Sequence, residues 1–128
     1  MPCPFCSTAA DPVAENAAAV ALPDGFPVSP GHTLVVPRRH VACLFELEAG
    51  ERAAVWELVA SLRARLAAEL RPDGFNVGVN DGEAAGQTVG HAHVHVIPRY
   101  AGDVPDPRGG LRWVVPAKAD YWSGRDED

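Results

Sequence analysis

Three of the five histidines in this chain, His91, His93 and His95, stand at alternate positions, and no other group of residues in the sequence points so directly to chemistry. An imidazole has an unperturbed pKa near ~6.5, so at neutral pH most of it is free base and can attack phosphorus without a separate base to activate it. Three histidines also suggest a catalytic zinc centre with all of them on the metal. Geometry argues against that use, because same-face residues two apart on a strand lie ~7 Å apart, whereas metal bonds are ~2 Å long. The intervening Ala92, Val94 and Val96, running into Ile97, give the alternation of a strand. The pattern therefore predicts one strand through all three histidines, with the imidazoles on one face and small apolar residues packed behind them on the other.

The whole stretch, Gly86-Gln-Thr-Val-Gly-His-Ala-His-Val-His-Val-Ile-Pro-Arg99, resembles the motif of the histidine-triad (HIT) family. PGHTLVVPRRH (Pro30 to His40) and NVGVNDG (Asn76 to Gly82) are similar to that family's other two recurrent segments, in the same order and spacing, so the resemblance covers roughly residues 3 to 100. It implies an α+β fold, HIT-like, in which a small antiparallel sheet carries one long amphipathic helix and is extended across a homodimer. It further implies a nucleotide hydrolase or transferase that acts on the α-phosphate of purine nucleotide conjugates through a nucleotidyl-histidine intermediate. Nucleoside phosphoramidates, aminoacyl adenylates and dinucleoside polyphosphates all present such a phosphate, and the residues do not choose among them. The resemblance places the nucleophile at His93 and puts Gln87 and Thr88 where the family contacts phosphate. His95 is expected to orient His93 and bond phosphate oxygens, and Gln87 and Thr88 to stabilise the charge on them. It assigns Asn80 to the active site near the nucleotide. Asp24 falls where the family holds the ribose hydroxyls; as a residue in Pro23-Asp24-Gly25 it reads equally as a turn aspartate. A non-catalytic nucleotide-binding regulator would use the same pocket and is the alternative function.

Cys3 and Cys6 form a CxxC pair near the start of the chain, and Cys43 is the remaining cysteine. A thioredoxin-like redox role needs the pair at the mouth of a βαβ unit, which this sequence does not supply. A closed zinc site needs four ligands, so two thiolates require two further donors, and histidines are the available source. The resemblance names them as His40 and His91, which gives one structural zinc held by Cys3, Cys6, His40 and His91.

The remaining elements must position these groups. Val13 to Leu22 ends in a short strand before the Pro23-Asp24-Gly25 turn, and His32-Thr33-Leu34-Val35-Val36 is a β-rich run closed by Pro37. His32 reads as structural. Arg38 and Arg39 lie near an anionic ligand or are solvated surface charge. From Glu48 to Leu70 the period changes: Trp56, Val59, Leu62, Leu66 and Leu70 recur at helical spacing as a core stripe, Glu48 and Glu51 suit the helix N-terminus, and Pro72-Asp73-Gly74 stops it. Phe75 to Val79 alternates as a strand, and Asn80-Asp81-Gly82 turns toward the triad.

At 128 residues and 47% hydrophobic content the chain fits a single domain over residues 1–128, with a core over about 3–100 and an extension over 101–128. That extension is similar to those of bacterial family members, which can lie near the partner's site; Trp113 and Trp122 within it read equally as packing. Its last residues, Arg125 to Asp128, are expected to be disordered. With 17 acidic against 11 basic residues the net charge is −6, which disfavours extended nucleic acid as a partner and leaves a small phosphorylated ligand, held by local arginines and backbone amides. No apolar run is long enough for a bilayer, and Met-Pro-Cys-Pro lacks the features of a signal peptide, so the expectation is a cytoplasmic protein with no membrane partner.

Overall fold

The computed structural model describes residues 3–6 and 11–124. Five strands, β1 (Ala14–Glu15), β2 (Ala19–Pro23), β3 (Thr33–Pro37), β4 (Gly74–Val79) and β5 (Val94–Arg99), form one antiparallel sheet in the order β1-β2-β3-β5-β4. The helix α1 (Ala49–Leu70) follows β3 and covers one face of the sheet. This is the expected α+β arrangement. No helix among the described residues is long and apolar enough to cross a membrane.

The helix begins where Glu51 accepts a hydrogen bond from the Glu48 backbone N–H, 3.1 Å, satisfying a donor at the entrance to the first turn. It ends at Arg71, which takes a left-handed conformation (φ 51°) and donates its N–H to Ala67 O, just before Pro72 forbids another turn. Val55, Leu58, Val59, Leu62 and Leu66 are buried against Ala19, Ala21, Val35, Ala92, Val94 and Val96 of the sheet side. Each fully buried side chain of this kind contributes roughly 1.5–3 kcal/mol. The core stripe is therefore set one residue away from the expected one at its start: Val55 and Leu58 face inward, while Trp56 is 42% exposed and Leu70 40% exposed.

Residues alternate sides along a strand, so the face opposite α1 receives Leu22, Leu34 and Val36, with Phe5 packed onto them. The triad segment approaches this face by an irregular route. Strand β5 begins only at Val94, so the expected strand through all three histidines is shorter than predicted; His91 lies at a bend and His93 in irregular chain before it. A backbone bond from Ala92 N to Val41 O, 2.7 Å, ties that segment to the loop after β3 in place of a ladder. The alternation of faces still holds, with Ala92, Val94 and Val96 in the core under α1.

After β5 the chain forms a 3-10 turn over Gly110–Val114 and the short helix α2 (Pro116–Ala119). Trp113 Nε1 donates to Arg108 O at 2.8 Å, and the Arg108 guanidinium lies 4.7 Å from the centre of the Trp122 ring. Gly109 sits between the two indoles with φ 94°, where a Cβ would meet Trp113 Nε1 at 3.1 Å and Trp122 Cη2 at 3.2 Å, so both conformation and space call for glycine. The two tryptophans pack this extension together. Residues 125–128, the segment expected to be disordered, lie outside the described residues.

Candidate active site

The triad histidines form a row on the open face of the sheet, each held through one ring nitrogen. His93 is 8% exposed, and its Nδ1 lies 2.9 Å from the carbonyl oxygen of His91. A carbonyl only accepts, so Nδ1 carries the proton, and the neutral ring is left with a bare Nε2. His91 is buried, and its Nε2 donates to Pro37 O at 2.8 Å, which leaves Nδ1 as the bare nitrogen facing the cysteines. The rings of His93 and His95 stand 5.1 Å apart in an edge-on arrangement.

His95 is oriented by a residue that sequence reasoning passed over. His32, read from the sequence as structural, places Nε2 3.0 Å from His95 Nδ1 and 3.2 Å from Asp24 Oδ2. Its own Nδ1 accepts the Val28 backbone N–H at 3.1 Å, so the proton of the neutral His32 ring is on Nε2 and points at His95 and Asp24. His95 Nδ1 therefore accepts, and its proton sits on Nε2. A single backbone amide thus fixes the tautomer of two rings in series. Asp24, His32 and His95 also lie close enough to suggest a metal triad. A metal on His32 Nε2 would need that nitrogen bare while Nδ1 is already an acceptor, which requires an imidazolate, so the group fits a hydrogen-bond relay instead.

Burial pushes the pKa of His95 down, with the neighbouring His93 and His32 adding to the effect and Asp24 opposing it. Burial likewise pushes His32 down, again opposed by Asp24. His91 is lowered by burial, opposed by its bond to Pro37 and reinforced by His40 and His93. His32, His91 and His95 are accordingly neutral at pH 7.

A cleft of about 660 Å³ opens beside His95, walled by Asn76, Asn80, Ile97 and, from the extension, Leu111 and Trp113. Gly78 stands directly across from His95 in the β4–β5 register, so no side chain flanks that imidazole from β4. Asn80 is exposed at the rim and Thr88 is exposed in the loop before the triad. Gln87 is differently used. Its carboxamide donates to Ala42 O and Val89 O, both at 2.9 Å, and accepts the Gly82 N–H at 2.8 Å, so it braces the loop that carries Thr88. Asp24 sits at the His95 end of the row, its Oδ1 accepting the Phe26 N–H at 2.7 Å. Arg38 pairs with Glu15 and Arg39 with Glu51, so both arginines are engaged in surface ion pairs.

At the other end of the row, Cys3, Cys6, His40 and His91 bring four potential ligand atoms within 4.8 Å of one another. The Cys3 Sγ to His91 Nδ1 distance is 3.3 Å, Cys6 Sγ to His40 Nδ1 is 3.0 Å, and Cys6 Sγ to His91 Nδ1 is 3.5 Å. Tetrahedral coordination with bonds of ~2.3 Å to sulfur and ~2.0 Å to nitrogen puts such atoms roughly 3.5 Å apart. The donor set fits a closed metal site, and His91 already has the bare nitrogen that a metal requires.

Comparison with known proteins identifies the family. The HIT domain family model matches residues 8–102. An uncharacterised HIT-like protein of Mycoplasma genitalium is 40% identical over 88 residues, 69% of this chain and 62% of that protein. An AP-4-A phosphorylase of Mycobacterium tuberculosis is 39% identical over 92 residues, 71% of this chain and 47% of the phosphorylase. The chain thus spans less than two thirds of the length of either relative. A crystal structure of a HIT family protein from Bacillus anthracis superposes with a TM-score of 0.74 at 37% identity, covering 79% of this chain and 75% of that one. The chain belongs to the HIT family.

Proposed function

We propose that this protein hydrolyses or transfers nucleotides by attack of His93 Nε2 on the α-phosphate of a purine nucleotide conjugate. The observation that carries the reading is the bond from His93 Nδ1–H to His91 O, which fixes the tautomer whose lone pair is on Nε2. The His93 lone pair forms a P–N bond as the bond from phosphorus to the leaving group breaks. His95, protonated on Nε2 through the His32 relay, donates to a phosphoryl oxygen as charge builds there. Thr88 donates from the loop that Gln87 braces, Asn80 contacts the nucleotide from the rim, and Asp24 takes the ribose hydroxyls. Water then cleaves the P–N bond, releasing the mononucleotide and restoring His93. Support for a nucleotide substrate also comes from the M. tuberculosis relative, whose name records a dinucleotide activity.

Cys3, Cys6, His40 and His91 hold one zinc ion on this reading, and zinc there supplies a structural cross-link. Two copies of the chain pair through the free edge of β4 and the exposed helix face around Trp56, which places both outside the core of a single copy.

The test is a substrate panel: a nucleoside 5′-phosphoramidate, an aminoacyl adenylate and a dinucleoside polyphosphate, assayed with wild type and with His93→Ala. Turnover of at least one, lost in the variant while AMP binding is kept, is the expected result. AMP binding with no turnover on any of the three would contradict it and leave the nucleotide-binding regulator.

A further inference from the structure

We propose that metal at the cysteine pair acts on the nucleophile through Phe5, seating that ring on His93 and so completing one wall of the phosphate site. The inference rests on the metal site and the nucleophile just described and adds a coupling between them. Phe5 lies between Cys3 and Cys6 in sequence, and its ring packs edge-on against both His93, with centroids 5.1 Å apart at 63°, and His91, 5.8 Å apart at 82°. The arm that carries it is short. Cys6 N donates to Cys3 O at 3.2 Å to form a turn, and among the described residues the arm's polar contacts with the rest of the chain are those of the two sulfurs with His40 and His91. Phe5 is partly buried against Leu22, Leu34 and Val36. Fixing the backbone of a four-residue arm costs more than one partly buried ring returns, so the arm needs the further tie that a metal gives to its sulfurs.

His91 joins the two sites from the other side. Its Nδ1 faces the sulfurs, while its carbonyl accepts the Nδ1–H that orients His93. On this proposal the ligand cluster and the nucleophile are coupled, because they share His91 and the Phe5 ring. Metal binding and occupancy of the phosphate site must then promote each other by the same factor.

The experiment uses the full chain, metal-loaded or stripped with a chelator, as wild type, Phe5→Ala and Phe5→Leu, with circular dichroism to show that the sheet is retained. The first arm measures ethoxyformylation of His93 by diethyl pyrocarbonate, with added N-acetylhistidine as the internal reference, by peptide mapping. In wild type, removing metal is expected to raise the His93 rate about 5-fold or more, in the range of ordinary site-to-site coupling. Phe5→Ala should react at that raised rate while still loaded, and chelation should add little; Phe5→Leu, which keeps an apolar cap, should fall between. An unchanged wild-type rate on stripping, an equal rise in Phe5→Ala, or a chain that holds no metal would each overturn the proposal. The second arm measures AMP affinity with and without metal, and metal affinity with and without AMP. Equal factors that vanish in Phe5→Ala support the coupling, and AMP affinity indifferent to metal in wild type refutes it. A protein that binds no AMP in either state refutes the nucleotide reading, and the modification arm then decides the clamp by itself.

Discussion

Replacing His32 isolates the relay behind the triad. Its Nε2–H is the donor to His95 Nδ1 at 3.0 Å, and its side chain is 3% exposed, so His32→Leu removes the donor without admitting bulk water in its place. His95 then either leaves a shielded Nδ1 unpaired or moves its proton to Nδ1, and in the second case Nε2 can no longer donate to a phosphoryl oxygen. A hydrogen bond to a charged group is worth ~1.5–3 kcal/mol, so turnover should fall about 10- to 150-fold. Because the lost bond strengthens as charge builds on phosphate, most of the loss belongs in kcat and little in KM. His32→Gln puts a carboxamide N–H near the same place and should recover most of the rate. The assay is steady-state hydrolysis of a nucleoside phosphoramidate, with 15N NMR of the His95 ring to read its tautomer. A His32→Leu variant within twofold of wild type, or a His32→Gln variant as damaged as His32→Leu, would refute the relay.

Leu62 is 1% exposed at the centre of the α1 stripe, so Leu62→Ala should lower the unfolding free energy by ~2–5 kcal/mol in urea titrations. The lowered pKa values of His32 and His95 mean that the unfolded chain binds protons first as pH falls below ~6.5. Stability should therefore be full above that pH and decline as pH drops toward the folded values, by up to ~1.4 kcal/mol per unit for each histidine; thermal melts from pH 7.5 to 5.0 measure this, and a Tm that rises on acidification contradicts it. Metal analysis of protein purified without added zinc should find one ion per chain, and a Cys3→Ala, Cys6→Ala double variant should lack it; equal metal in both would remove the site from those cysteines.

The sheet and helix could be read from the sequence because their signals are local. Phe75 to Val79 alternates and is found as Gly74–Val79, and the helical period from Glu48 to Leu70 is found as Ala49–Leu70. Trp56 was misplaced because periodicity gives a stripe but not its exact angle, and a large apolar side chain at the stripe's edge fits either side. The row of His91, His93 and His95 was legible from spacing, and the resemblance singled out His93 within it. His32 was not, since a lone histidine at the start of a strand carries no chemical signature until β3 is paired with β5 and Leu34 falls opposite His95. Phe5 was hidden for the same reason: its place on His93 depends on a contact across 88 positions, and the visible hint was only an aromatic inside a CxxC pair. Gln87 was singled out through the resemblance, but its bonds to Ala42, Val89 and Gly82 depend on how the loop closes.

The central claim is that His93 becomes covalently nucleotidylated. Wild-type protein mixed with a nucleoside phosphoramidate or a dinucleoside polyphosphate, quenched without acid because P–N bonds survive base better than acid, and mapped by mass spectrometry should carry one nucleoside monophosphate on the peptide containing His93. His93→Ala should carry none and should lose several orders of magnitude in turnover while AMP binding stays close to wild type. A nucleotidyl group found on another residue, or wild-type rates in His93→Ala on every substrate tested, would contradict the account.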